Sequence, residues 1–149
     1  VGLVVWGRLT RQQELGVEAM SAHLRISASR LCYLSDVPLE KIGPLIANAQ
    51  LVFVPSFHEG FSLPIIEAIT NGTPVVASDI PAHQELIGPG WWLQPASDPA
   101  KLGRAINRAL KDPQALLNRQ TKRLAQSWHS GQVSERINEM FDQIFSADN

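Results

Sequence analysis

Leu51-Val52-Phe53-Val54-Pro55-Ser56-Phe57-His58-Glu59-Gly60-Phe61-Ser62-Leu63-Pro64-Ile65-Ile66-Glu67-Ala68 is the stretch on which the fold turns. Its apolar run, Leu51 to Val54, stops at Pro55; a loop with one glycine follows, and an apolar-periodic segment opens with Pro64. That order predicts a buried strand, a turn and a helix N-terminus, where backbone N–H groups and the helix dipole can hold an anion. Pro64 in the first turn costs no hydrogen bond, because the N–H groups there have no helical partner. Glu59 stands in the turn, and Glu67 is expected in the first helical turn. Carboxylates accept hydrogen bonds from hydroxyls, and sugars and riboses consist mostly of hydroxyls. The stretch therefore points to a pocket for a sugar-bearing phosphate compound.

On either side, short apolar runs alternate with helical patterns. Upstream, Leu3 to Trp6 and Arg30 to Leu34 read as strands. Between them lies a helix over about residues 11 to 24, capped by Thr10, with Leu15, Ala19, Ala22 and His23 on one face. Pro38 opens a helix with a stripe of Leu39, Ile42, Ile46 and Ala49. Downstream, the helix after Leu63 ends near Gly72, and Thr73 to Ala77 is a second buried strand. Residues 78 to 90 read as loop and 91 to 95 as a short last strand. Asp98 caps a helix with Leu102, Ala105, Ile106 and Ala109 on one side. Asp112-Pro113 starts another, bearing Leu116, Leu117, Arg123 and Leu124, and a final helix is expected over about residues 132 to 145. Strands alternating with helices imply βαβ units, a parallel sheet with helices on both faces, and hence a Rossmann-like α/β domain.

The chain has 149 residues, enough for one domain with a full core. A net charge of -1 gives no basic face for a nucleic acid. The single cysteine, Cys32, rules out an internal disulfide and is expected as a small core residue in a reducing compartment. No apolar run approaches the roughly 20 residues that cross a bilayer. Val1-Gly2-Leu3 begins directly in strand-like sequence, without a signal-peptide pattern, which suggests a fragment.

From Pro55 to Ala68 the chain closely resembles the retaining glycosyltransferases of the GT-B fold, glycosyltransferase family 4 ("group 1"). Their hallmark is Pro-Ser-x-x-Glu-Gly-Phe-Gly-Leu-Pro-x-x-Glu-Ala. The family's Gly-x-Pro-Val-Val-Ala-Ser follows as Gly72 to Ser78, and Glu85, Pro95 and Asp112-Pro113 match later features. Leu3 to Gly7 resembles the second strand of the family's donor-binding domain, and Tyr33 to Val37 its third strand and following loop. The resemblance runs to about Trp128.

It implies that residues 1–149 form a nucleotide-sugar donor-binding domain, closed by C-terminal helices over about 98 to 146. This is the C-terminal half of a GT-B fold lacking its first βα unit. Glu67 would bind the ribose hydroxyls and Glu59 would lie beside the donor sugar as the catalytic carboxylate. Backbone amides of Gly60, Phe61, Ser62 and Leu63 would face the sugar and diphosphate, and Ser35 and Val37 would contact the base. No metal and no cofactor is required; a nucleotide diphosphate sugar is the donor, and a saccharide or lipid-linked acceptor would be held by an amino-terminal domain. The implied location is the cytoplasm, with the inner membrane face as an option for the intact protein. Two departures stand out. Ser62 replaces the family's usual glycine, which strains the chain if φ is positive there but suits a helix cap. The Arg and Lys that clamp the diphosphate belong to the missing unit, and Arg8 is placed after the second strand instead. In the order 3-2-1-4-5-6 the missing strand is central, so a gap is expected between the Leu3 and Leu51 strands, filled by rearrangement or self-association.

Other residues have plainer readings. His58 invites a general-base role but stands at a variable motif position, as an exposed loop residue; His83 could approach the cleft. His23 and His129 read as helix-surface residues, and Trp128 as structural. Trp91 and Trp92 read as core and interface packing rather than a sugar-stacking platform. The leading reading is the donor half of a glycosyltransferase, inactive alone. The alternative is a non-catalytic nucleotide-binding or assembly module; a GT-B epimerase or phosphorylase is disfavoured by the two-glutamate motif.

Overall fold

The structure is a computed structural model that describes residues 2–7 and 10–127. It divides into two compact units, Val1–Pro44 and Leu45–Asn149. Arg8, Trp128, His129 and the expected final helix lie outside the described residues.

In the first unit, β1 (Leu3–Trp6) pairs in parallel with β2 (Leu31–Leu34), Leu3 opposite Leu31 and Trp6 opposite Leu34. Between them runs α1 (Arg11–His23). Its start is a full capping box: Thr10 Oγ1 accepts from the Gln13 amide, and the Thr10 amide donates to Gln13 Oε1 at 2.8 Å. The expected face is not the sheltered one. Leu15, Ala19, Ala22 and His23 are exposed, and the half-buried residues are Glu14, Val17 and Ser21. The apolar residues of α1 are spread around the helix, so periodicity alone does not single out a face. Cys32 is exposed, not core. Its strand neighbours Leu31 and Tyr33 point to the opposite face, and Tyr33 lies near Glu14 and Glu18 of α1, so alternation sends Cys32 to the uncovered side.

The helix α2 (Leu39–Ala47) crosses the division at Pro44. Of its expected stripe, Ile46 is buried and Ile42 half-buried, but Leu39 is exposed and Ala49 lies beyond the helix end.

The second unit carries β3 (Val52–Val54), α3 (Leu63–Thr70), β4 (Val75–Ser78), α4 (Pro81–Ile87), β5 (Leu93–Gln94), α5 (Pro99–Ala109) and α6 (Pro113–Ser127). Its sheet is ordered β3-β4-β5, all parallel. All four residues of the central β4 are buried, the continuous burial that an unalternating apolar run predicts. β1 and β3 belong to different sheets, one in each unit.

Residues 78 to 90 are not all loop. Pro81 at the first position and Gly88 (φ 65°) after the last bound the helix α4, and His83, Leu86 and Ile87 are buried at helical spacing. The expected last strand shrinks to Leu93–Gln94; Trp92 is buried, Trp91 half-buried, and the two rings meet edge-on at 5.9 Å. Asp98 caps α5 as expected, accepting from the Lys101 amide at 2.9 Å. On α6, Leu116 and Leu124 are buried but Arg123 is exposed. The buried residue between the two leucines is Gln120, whose amide bonds both backbone groups of Val75 (Val75 N to Oε1 2.9 Å, Nε2 to Val75 O 2.8 Å).

Candidate functional site

The β3–α3 loop and α3 assemble most of the expected site residues on one segment of the second unit. β3 ends at Val54, and the chain crosses the carboxyl end of the sheet to enter α3 at Leu63. Gly60, Phe61 and Leu63 are exposed, with Phe61 at 52% and Leu63 at 59%. Among the described residues, no backbone hydrogen bond uses the amides of Gly60, Ser62 or Leu63. These are the unpaired donors of a helix start, a place where an anion can be held.

Ser62 is the N-cap, with φ −104°, so the position does not need glycine and serine is unstrained. It does not cap with its side chain either. Its hydroxyl is fully buried without a hydrogen-bond partner among the described residues.

Glu67 falls one position beyond the first turn, the fifth residue from the cap. It shares a helix face with Leu63 and Pro64, four and three residues back, and side chains on a helix lean toward its N-terminus. The carboxylate is half-buried, and among the described residues nothing hydrogen-bonds it or pairs with it. It is therefore free to take hydroxyl donors beside the amide-rich bend.

Glu59 is held differently. Its Oε1 accepts a short hydrogen bond from Ser56 Oγ, and Oε2 lies 3.4 Å from His83 Nε2. The side chain is 18% exposed. Burial alone would raise its carboxyl, but Ser56, the nearby Ser62 hydroxyl and His83 outweigh that and hold it below the usual carboxylate range. Glu59 is thus a fixed, ionised acceptor, suited to binding a hydroxyl or stabilising positive charge and ill-suited to donating a proton.

His83, read from sequence only as able to approach the cleft, stands beside Glu59. It is fully buried on α4, with Nδ1 2.7 Å from the Ser78 carbonyl at the end of β4. Recognising α4 would have put His83 on the buried face of Leu86 and Ile87, but not beside Glu59. His58 is exposed, in keeping with a plain loop residue. Ser35 and Val37 lie in the first unit just after β2, Ser35 exposed and Val37 half-buried, flanking Asp36 at φ 51°. Among the described residues there is no cluster of three or more His, Cys, Asp or Glu fit to hold a metal, and no helix long and apolar enough to cross a membrane.

Comparison with known proteins gives this geometry a context. A model of the family described as "Glycosyl transferases group 1" matches residues 1–128. The MMP alpha-(1->4)-mannosyltransferase of Mycolicibacterium hassiacum is 40% identical over 86 residues, 56% of this chain and 20% of that protein. The lipopolysaccharide core biosynthesis mannosyltransferase LpcC of Rhizobium leguminosarum bv. viciae is 36% identical over 114 residues, 74% of this chain and 32% of that one. The chain thus spans a fifth to a third of the length of these relatives. Among solved structures, Anabaena Alr3699/HepE in complex with UDP superposes with a TM-score of 0.77 at 22% identity, covering 96% of this chain and 41% of that one. Sucrose-phosphate synthase from Thermosynechococcus elongatus does so with a TM-score of 0.75 at 24% identity, covering 97% and 39%. These likenesses place the chain in the GT-B fold.

Proposed function

Since this chain belongs to the group 1 glycosyl transferases, we propose that it is the donor-binding part of an enzyme that moves a sugar from a nucleotide diphosphate sugar to an acceptor hydroxyl with retention at the anomeric carbon. The observation that carries the reading is the pairing of the unpartnered Glu67 carboxylate with the unpaired amides at the start of α3. A nucleotide offers the complement of that pair: hydroxyls on the ribose and negative charge on the diphosphate.

In this reading Glu67 accepts from the ribose hydroxyls. The amides of Gly60, Phe61, Ser62 and Leu63 take up charge on the departing diphosphate, where preorganised donors lower the barrier most. Glu59, fixed and ionised, lies beside the sugar and accepts from its hydroxyls or stabilises positive charge at the anomeric carbon. Ser35 and Val37 contact the base. The family's Arg and Lys complete the diphosphate clamp, with no metal or cofactor called for. The relatives' names favour a hexose donor, mannose first, and a saccharide or lipid-linked acceptor reached from the cytoplasm at the inner membrane face.

The test is titration of this chain with uridine and guanosine diphosphates by calorimetry, with the intact parent protein assayed against a panel of nucleotide sugars. Loss of a hydroxyl–carboxylate pair costs about 1.5–3 kcal/mol, so Glu67→Ala should weaken nucleotide binding about 10- to 100-fold. Binding or turnover untouched by Glu67→Ala would overturn the assignment.

A further inference from the structure

We propose that the groove between α5 and the approach to β5 is a phosphate-binding site in which Lys101, Arg104 and Arg108 share one phosphate group. It uses no residue of the β3–α3 loop or of α3, and it stands whether or not the donor-site reading does.

The groove encloses about 180 Å³ and is lined by Trp91, Gln94, Lys101, Arg104, Ala105 and Arg108. At about 30 Å³ per water it has room for about six waters, enough for a phosphate with a few attached atoms and too little for a nucleotide. Its cations follow from helix periodicity. Leu102, Ala105 and Ala109 turn to the core, and Lys101, Arg104 and Arg108, three and four residues apart, share the neighbouring side of α5. Like charges at those spacings work against the helix that carries them. The chain as a whole has a net charge of -1, so the cluster is local and not part of a general basic excess. One acid stands beside it: Asp98 caps α5 through Oδ1, and its Oδ2 lies 3.4 Å from Lys101 Nζ. Three cations less one carboxylate leave two positive charges, the complement of a phosphate monoester at about −1.5 to −2 near neutral pH.

Arg108 gives the site its shape. Its guanidinium lies 4.3 Å over the ring of Trp91. Trp91 is held in turn: its ring meets that of the buried Trp92 edge-on, and its carbonyl accepts from Gln94 Nε2 at 2.9 Å. Stacking uses one face of the guanidinium and leaves its in-plane N–H donors for an oxyanion, whose geometry the arginine fork matches. That fork is therefore in place before anything binds, which lowers the ordering cost of binding. Arg104 and Lys101 are exposed, and their long stems let them close on the same anion. A carboxylate fits less well, with two oxygens and half the charge.

The test is titration of this chain with inorganic phosphate at pH 7, at an ionic strength held constant with sodium chloride, following tryptophan fluorescence and the arginine side-chain 15N signals. Binding should saturate, move the Arg104 and Arg108 signals and raise the thermal midpoint. Arg104→Gln and Arg108→Gln should each weaken it about 10-fold. Arg108→Lys, which keeps the charge and loses the fork, should weaken it less, and Lys122→Gln on α6, outside the groove, should leave it unchanged. A response that chloride reproduces at equal ionic strength would overturn the site. So would one that survives both glutamine variants, as uptake at the start of α3 would. Two further probes separate the sources of the phosphate: glycerol 3-phosphate, and vesicles of phosphatidylcholine and phosphatidic acid in equal parts. Saturation by glycerol 3-phosphate without sedimentation on the vesicles assigns the site to a free phosphate ester. Sedimentation that Arg108→Gln abolishes assigns it to a lipid headgroup. Either supports the site, and failure of both probes along with inorganic phosphate overturns it.

Discussion

Gln120 offers the sharpest test of how the sheet beneath the site is held. On β4, Ala77 N donates to Trp92 O and Asp79 N to Gln94 O, both toward β5. Alternation by two residues puts the Val75 N–H on that same edge, but β5 is only Leu93–Gln94 and does not reach back to it. The Gln120 amide stands in for the missing strand residue, accepting from Val75 N and donating to Val75 O. Gln120→Met keeps the volume and removes both bonds, stranding two backbone groups in a site with no solvent access. Each buried group left unpaired costs about 1–3 kcal/mol, so the loss should be about 2–6 kcal/mol. That is a large share of the roughly 5–15 kcal/mol that keeps a domain folded. In urea melts, with a slope of about 2 kcal/mol per molar, the midpoint should fall by about 1–3 M. Gln114→Met on the same helix, where an exposed amide donates to Asn118 at 3.0 Å, should move it by less than about 0.3 M. If the Gln120 variant melts within that same margin at unchanged slope, the bonds to Val75 contribute nothing and the reasoning fails.

The glycines make a paired prediction. A Cβ at Gly90 would collide with the indole of Trp92, a buried ring tethered by its Nε1–H to the Gly88 carbonyl at 3.3 Å. Gly90→Ala should therefore cost about 1–3 kcal/mol and shift the tryptophan fluorescence. Gly103→Ala, inside α5 with open space around the new methyl, should stabilise by about 0.5–1 kcal/mol in thermal melts. Glu59 sets an acid dependence. Its carboxyl lies below the usual range when folded, so its contribution is present above the unfolded value of about 4.3 and is lost as pH falls through the folded one. Ser56→Ala removes one of the bonds responsible, so the stability gap between it and the unsubstituted chain should be widest near neutrality and narrow below about pH 4; a gap independent of pH would refute the link.

What could be read ahead of the structure was whatever local chemistry decides. Thr10 and Asp98 cap their helices as their residue types prefer, Gly72 ends α3 at φ 81°, and the unalternating run of β4 is buried throughout. The strand–turn–helix that sets Glu59 and Glu67 around one bend was legible for the same reason, since Pro55, Gly60 and Pro64 punctuate it. Misreadings begin where a residue's role depends on what the rest of the chain brings to it. Cys32 sits in an apolar run yet faces outward, because alternation in β2 puts it opposite Tyr33. Gln120 has no sequence signal of its own; its role appears only because a short β5 leaves Val75 needing a partner 45 residues away in sequence.

His83 combines both kinds of difficulty. Proline and glycine around residues 78 to 90 made the segment read as loop, although the spacing of His83, Leu86 and Ile87 is that of a buried helical face. Even with α4 recognised, a histidine on an apolar face would ordinarily be taken for core. Only the fold brings the Ser78 carbonyl to one side of the ring and Glu59, 24 residues upstream, to the other. The polar residues that order this site therefore lie on buried faces where hydrophobic patterning expects none. Burying a polar side chain is costly unless partners reach it, and the Ser78 carbonyl supplies one for His83 and the backbone of Val75 two for Gln120.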